Sequence, residues 1–161
     1  MSEIAYWVDG DFAFSIHQAD EMGHLCGYLG LPPCHPWSGL DYDDIDASVH
    51  GGLTWAGYET IFRRTNPARL KHLMERFKGD HSHDTEYESL PRFIEEPTGP
   101  YPHDTGLNLF WIGFDCAHLG DAVPGLGHLS SGDVYRDEGF VRDELRHLAT
   151  QAAAAAQMVP A

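Results

Sequence analysis

The chain has 161 residues, of which 42% are hydrophobic and 22% charged, a globular balance that excludes wholesale disorder and fits a single domain. Twenty-five Asp and Glu against ten Lys and Arg give a formal charge of -15, which excludes nucleic-acid binding through a basic face. No run nears the ~18 apolar residues of a membrane span, and Met1 to Gly10 lacks the basic-then-apolar pattern of a signal peptide.

In chain order, Ile4 to Val8 and Phe12 to Ile16 read as strands on either side of the turn Asp9-Gly10-Asp11. Leu25 to Leu31 reads as a third, closed by Pro32-Pro33, and His35 to Asp46 as a loop rich in Pro, Gly and Asp. Val49 to Tyr58 predicts an apolar strand interrupted at Gly51-Gly52, where a bulge or a close backbone approach is expected. A helix over 66–79 follows, with Asn66 as N-cap, Pro67 at the first turn and Leu70, Leu73, Met74 and Phe77 at helical spacing. Residues 79–106 read as a mobile insertion. Leu107 to Phe114 predicts a central strand, and Asp137 to Gln157 a second helix with Phe140, Val141, Glu144, Leu145, Leu148 and Ala152 along one stripe. Its alanine-rich end, from 152 to 161, reads as a fraying tail. These elements predict an α+β domain over 1–161: a small, mostly antiparallel sheet with two main helices packed on it.

Two segments concentrate the chemistry, each where an apolar strand meets a glycine turn: Val49-His50-Gly51-Gly52-Leu53-Thr54 and Gly113-Phe114-Asp115-Cys116-Ala117-His118-Leu119-Gly120-Asp121. As a ligand-binding pocket they supply His50, Gly51, Gly52, Thr54, Asp115, His118 and Asp121, with stacking surfaces from Tyr28, Trp37, Trp55 and Trp111. Tyr135 and Arg136, just before the last helix, would meet a phosphate near its N-terminus. The alternative is a divalent-metal site of His50, Asp115, His118 and Asp121, two nitrogens and two oxygens with room for water. No standard metal spacing such as HExxH is present, and an Asp-x-x-His turn also forms as a plain hydrogen-bonded pair, so no cofactor is the favoured reading. Cys116 beside His118 suggests a nucleophilic thiol, against the simpler reading of a buried, inert cysteine. Three cysteines with no CxxC pair suit a reducing compartment. The cluster His81-Ser82-His83-Asp84 reads as a solvated turn, and Arg63-Arg64 is too short for a nucleic-acid patch.

Cys26 to Pro33 followed by His35-Pro36, Asp41 to Asp44, the VHGGLT run from Val49, the GFDCAHxGD run from Gly113, and Tyr135-Arg136-Asp137 together resemble a family of small uncharacterised bacteriophage and prophage proteins. The resemblance covers about Cys26 to Gln151 outside the insertion; Cys34 departs from the small residue expected there. It implies a phage-encoded accessory protein in the bacterial host cytoplasm, and by analogy a sponge that sequesters a nucleotide-derived signal of host anti-phage defence. The expected partner is then a small nucleotide-like molecule, with a homo-oligomer sharing the pocket as a further expectation, and no nucleic acid or membrane. Two other readings stand beside it: a metal-dependent hydrolase of a small phosphate-containing molecule, and an acidic inhibitor that covers a host protein.

Overall fold

The computed structural model describes residues 1–59, 108–126 and 132–158. Five strands form one antiparallel sheet: β1 (Ser2–Asp9), β2 (Phe12–Gln18), β3 (Leu25–Leu31), β4 (Trp55–Tyr58) and β5 (Phe110–Asp115), in the order β1-β2-β3-β5-β4. Helix α1 (Glu138–Gln157) packs on it, mainly against β3. The fold is therefore α+β, with one long helix among the described residues. The predicted helix over 66–79, the insertion over 79–106, and the His81–Asp84 and Arg63-Arg64 features lie outside the described residues. No described helix is long and apolar enough to cross a membrane.

Period-two alternation sorts the side chains. Phe14 and Ile16 of β2, Leu25, Leu29 and Leu31 of β3, and Phe110, Ile112 and Phe114 of β5 face α1, meeting Val141, Leu145, Leu148 and Ala152. Burying each leucine of that stripe stabilises the fold by roughly 1.5–3 kcal/mol. Gly27, in the centre of β3, is what lets the helix settle. A Cβ there would stand 2.7 Å from the Phe114 ring and 3.0 Å from Val141 Cγ1. Trp7 of β1 stacks on Phe14 with centroids 4.9 Å apart, and the Arg142 guanidinium of α1 lies 4.3 Å above it.

The helix is defined at both ends. Asp137 caps its N-terminus by accepting a 2.9 Å hydrogen bond from the Phe140 amide. Farther along, His35 Nδ1 accepts from the Trp37 amide at 3.0 Å, so its Nε2 carries the proton and donates to the Ala152 carbonyl at 2.8 Å. Gln151 pairs with both backbone groups of Ser48 at 2.7 Å. The helix consequently runs through Gln157, with Ala152 fully buried. The segment expected as a loop, His35 to Asp46, carries Trp37 and Ile45 into the core and contains a short 3-10 turn at Tyr42–Asp44.

One strand is shorter than its apolar pattern predicts. Val49 to Gly52 form a turn closed by the Gly52 amide on the Val49 carbonyl at 2.9 Å, and β4 begins only at Trp55. Two consecutive glycines at φ 70° and 83° cannot continue an extended strand.

Candidate functional site

The end of the sheet where β5 stops and α1 starts gathers both glycine-bearing segments. Past Asp115 the chain turns through Cys116 to Gly120 and then runs beside Val134, Ala122 donating to Val134 and Val134 to Gly120 at 2.8 and 2.9 Å. That short ladder carries Asp121 alongside Arg136. The turn ahead of β4 brings His50 to the same place from the other side.

Asp121 is the hub. Its side chain is 0% exposed. Oδ1 accepts from Arg136 Nε at 2.8 Å, Oδ2 accepts from the His118 amide at 3.0 Å, and His50 Nε2 lies 3.0 and 2.8 Å from the two oxygens. Burial acts to raise the carboxyl's pKa, but Arg136, His50 and the His118 amide outweigh it and hold the group below its ordinary value. Asp121 is thus an anion at neutral pH, and it supplies the acceptors that fix His50.

His118 is placed by Gly51. A Cβ on Gly51 would sit 2.3 Å from Nδ1 and Cε1 of the imidazole, so only glycine lets the ring lie against the turn. His118 Nδ1 is buried and makes no hydrogen bond, although Asp115 Oδ1 lies 3.3 Å away and Asp121 Oδ2 3.9 Å. The ligand-bearing atoms of His50, His118 and Asp121 all lie within 4.8 Å of one another. Phe140 walls the cluster, its ring 5.1 Å from that of His50 and 4.8 Å from the Arg136 guanidinium carbon. Glu144 Oε2 accepts from the His50 amide at 3.4 Å.

Of the nine residues singled out from the sequence, His50, Gly51, His118, Asp121 and Arg136 meet in this cluster, and Gly52 shapes the turn beside it. Asp115 stands at its edge, its Oδ1 accepting from the Ala117 amide at 3.0 Å. Thr54 and Asp115 instead line an adjoining cleft together with Tyr28 and Trp55. Trp37 and Trp111 are core residues. Tyr135 donates its hydroxyl to the Gly23 carbonyl at 3.2 Å. Arg136 pairs with Asp121 through Nε alone, which leaves both terminal amino groups without a partner among the described residues. Glu144 and Phe140 read from sequence only as members of the helix stripe; a carboxylate set among Val141, Leu145 and Leu148 was the one available sign.

Cys116 is not a reactive thiol. It is 1% exposed, and burial, followed by the charges of Asp121, Cys26 and Asp115, pushes it up to about 12 against the smaller opposing effect of Arg136. Cys26 is pushed to about 12 as well, again mainly by burial. At mildly alkaline pH an aromatic disulfide reagent should therefore titrate one thiol per native chain, the exposed Cys34, and reach all three only after unfolding. Rapid labelling of two or three would contradict these assignments.

On the sheet face away from α1, Ser15 Oγ donates to Glu3 Oε2 at 2.9 Å and lies 2.9 Å from His17 Nε2. The trio resembles a hydrolytic triad only in composition. With the hydroxyl proton committed to Glu3, His17 is the donor to Ser15 rather than its base, and Ser15 is 0% exposed. Beside it, the fully buried Glu59 accepts from Trp111 Nε1 at 2.9 Å.

Comparison of the chain with protein-family models, curated proteins and solved structures finds no match. The site therefore speaks through its own geometry.

Proposed function

We propose that this end of the sheet holds a divalent ion and, with it, hydrolyses a small phosphate-containing molecule. The observation that carries the reading is the meeting of His50, His118 and Asp121 within 4.8 Å, one of them offering a buried nitrogen that bonds nothing. An unsatisfied buried nitrogen costs about 1–3 kcal/mol, and an ion at Nδ1 would relieve that cost. Two imidazoles and one or two carboxylates suit zinc or manganese and leave a position for water. A bound ion would supply Lewis acidity and a water of lowered pKa. The chain's own contribution is placement: Gly51 seats His118, and Asp121 and Glu144 orient His50. The terminal amino groups of Arg136, without a partner among the described residues, provide a cation beside the cluster, which an anion needs against a formal charge of -15.

A second reading dispenses with the ion. Both thiols near the cluster, Cys116 and Cys26, are buried, so without an ion no activated nucleophile is present among the described residues there. The same place would then bind a nucleotide-derived molecule and keep it intact, as a phage sponge against a host defence signal.

Calorimetric titration with Zn2+ should show one ion per chain, with binding lost in His118→Ala and in Asp121→Asn. Incubation with small nucleotides should consume them in a chelator-sensitive way. Absence of stoichiometric metal, with nucleotide recovered unchanged after denaturing the protein, would replace hydrolysis by sequestration. Neither metal nor nucleotide binding would remove both readings.

A further inference from the structure

A second site adjoins the first. Among the described residues, a cleft of about 290 Å3 is lined by His24, Cys26, Tyr28, Thr54, Trp55 and Asp115, with Met1 and Phe114 closing it. Its walls are largely apolar and aromatic: Tyr28 and Trp55 meet edge to face with centroids 5.8 Å apart. Three polar groups on its lining are left over by the fold. Asp115 spends Oδ1 on the Ala117 amide and on proximity to His118, while Oδ2 accepts nothing among the described residues. His24 Nδ1 is buried without a hydrogen-bond partner. The Thr54 backbone amide extends the β4–β5 ladder to the Gly113 carbonyl at 2.8 Å, but its hydroxyl has no partner among the described residues. An apolar cavity with a few unsatisfied polar groups is the usual form of a small-molecule site.

Size and charge limit what fits. The volume of about 290 Å3 falls just short of the roughly 300–1,000 Å3 range of ligand pockets, enough for one ring system and too small for a whole dinucleotide. No lysine or arginine is on the lining, and one carboxylate is, so an anionic group is unwelcome there.

We propose that this cleft binds a flat, nitrogen-bearing heteroaromatic ring, uncharged or cationic, packed against Trp55 with an N–H given to Asp115 Oδ2. Nucleobases and aminopyridines share that chemistry. The inference names the organic part of the molecule assigned above and rests on the small-molecule half of that reading, not on the ion. A phosphate attached to such a ring would lie outside the cleft, whose Asp115 also borders His118 of the neighbouring cluster.

The test titrates the intact chain with adenine, cytosine and 2-aminopyridine, following backbone amide chemical shifts, with benzoate as a flat anionic control. At least one of the nitrogen rings should bind saturably and shift the amides of residues 24–28, 54–55 and 113–115, whereas benzoate should not bind. Asp115→Asn keeps the shape and should weaken binding roughly ten- to hundredfold, the worth of a hydrogen bond to a charged group. Trp55→Ala should weaken it comparably, and Cys34→Ser, at an exposed position outside the cleft, should leave it within about twofold. Failure of all three rings in the wild-type chain would overturn the inference, as would equal binding of benzoate or indifference to both cleft substitutions. Loss of metal binding alone, with ring binding kept, would overturn only the ion.

Discussion

Asp121→Asn should destabilise the protein by about 3–5 kcal/mol, the usual cost of breaking a buried charge pair by removing one partner. The amide is nearly the same shape, so the effect isolates charge and hydrogen-bond polarity. Asp121 accepts from Arg136 Nε and from the His118 amide, and both its oxygens face His50. An asparagine turns one of those acceptors into a donor. Whichever way the amide lies, an N–H then faces an N–H, and the Arg136 guanidinium loses its counter-charge. For a chain of this size each kcal/mol moves the melting temperature by about 2–4 °C, so a fall of about 6–20 °C is expected. His118→Ala is the contrast, because the buried Nδ1 of its ring makes no hydrogen bond and its removal should cost far less. An Asn variant that melts within a degree or two of the parent would show that Asp121 is not the hub.

Gly27→Val should cost about 3 kcal/mol, at the upper end of overpacking effects in a close-packed core. Strand propensity alone would favour valine. Packing wins because the first added carbon already meets Phe114 at 2.7 Å and Val141 at 3.0 Å, and both are buried. The helix must rise or the phenylalanine must turn, and either opens the leucine layer beyond. Urea unfolding measures the loss. Combining Gly27→Ala with Phe114→Leu should recover part of the cost of the first change, since the two sites touch. If the two changes simply add, the close approach at Gly27 is not what resists substitution.

Strands β1, β2 and β3 were readable because each is local: Phe12, Phe14 and Ile16 alternate with smaller or polar residues, and glycines and prolines punctuate them. The capped helix was equally readable from Asp137 and its apolar stripe. What no local pattern contains is that β5 inserts between β3 and β4, a consequence of pairings far apart in sequence. The apolar run from Val49 suggested strand, and backbone sterics at Gly51 and Gly52 overrode it. At the site, both motifs were recognisable as glycine-bearing junctions, but not the division of labour between them. Thr54, only four residues from His50, belongs to the cleft because the turn reverses the chain. Asp121 read as one of several acids; its centrality comes from Arg136 and His50, which only the closed fold brings to it. Glu144 was hidden inside a helix pattern that called for apolar residues.

Two of the contacts that assemble the cluster span long stretches of chain: 71 residues separate His50 from Asp121 and 94 separate His50 from Glu144. Asp121 meets His118 and Arg136 within a short stretch of chain, but His50 and Glu144 join them only through long loop closures, so no fragment holds the whole place. An occupant of the kind proposed would therefore report completed folding. By mass action, occupancy at a hundred times the dissociation constant would return about 2.7 kcal/mol to the native state, so in a cell where the occupant is scarce the same chain would turn over faster than where it abounds.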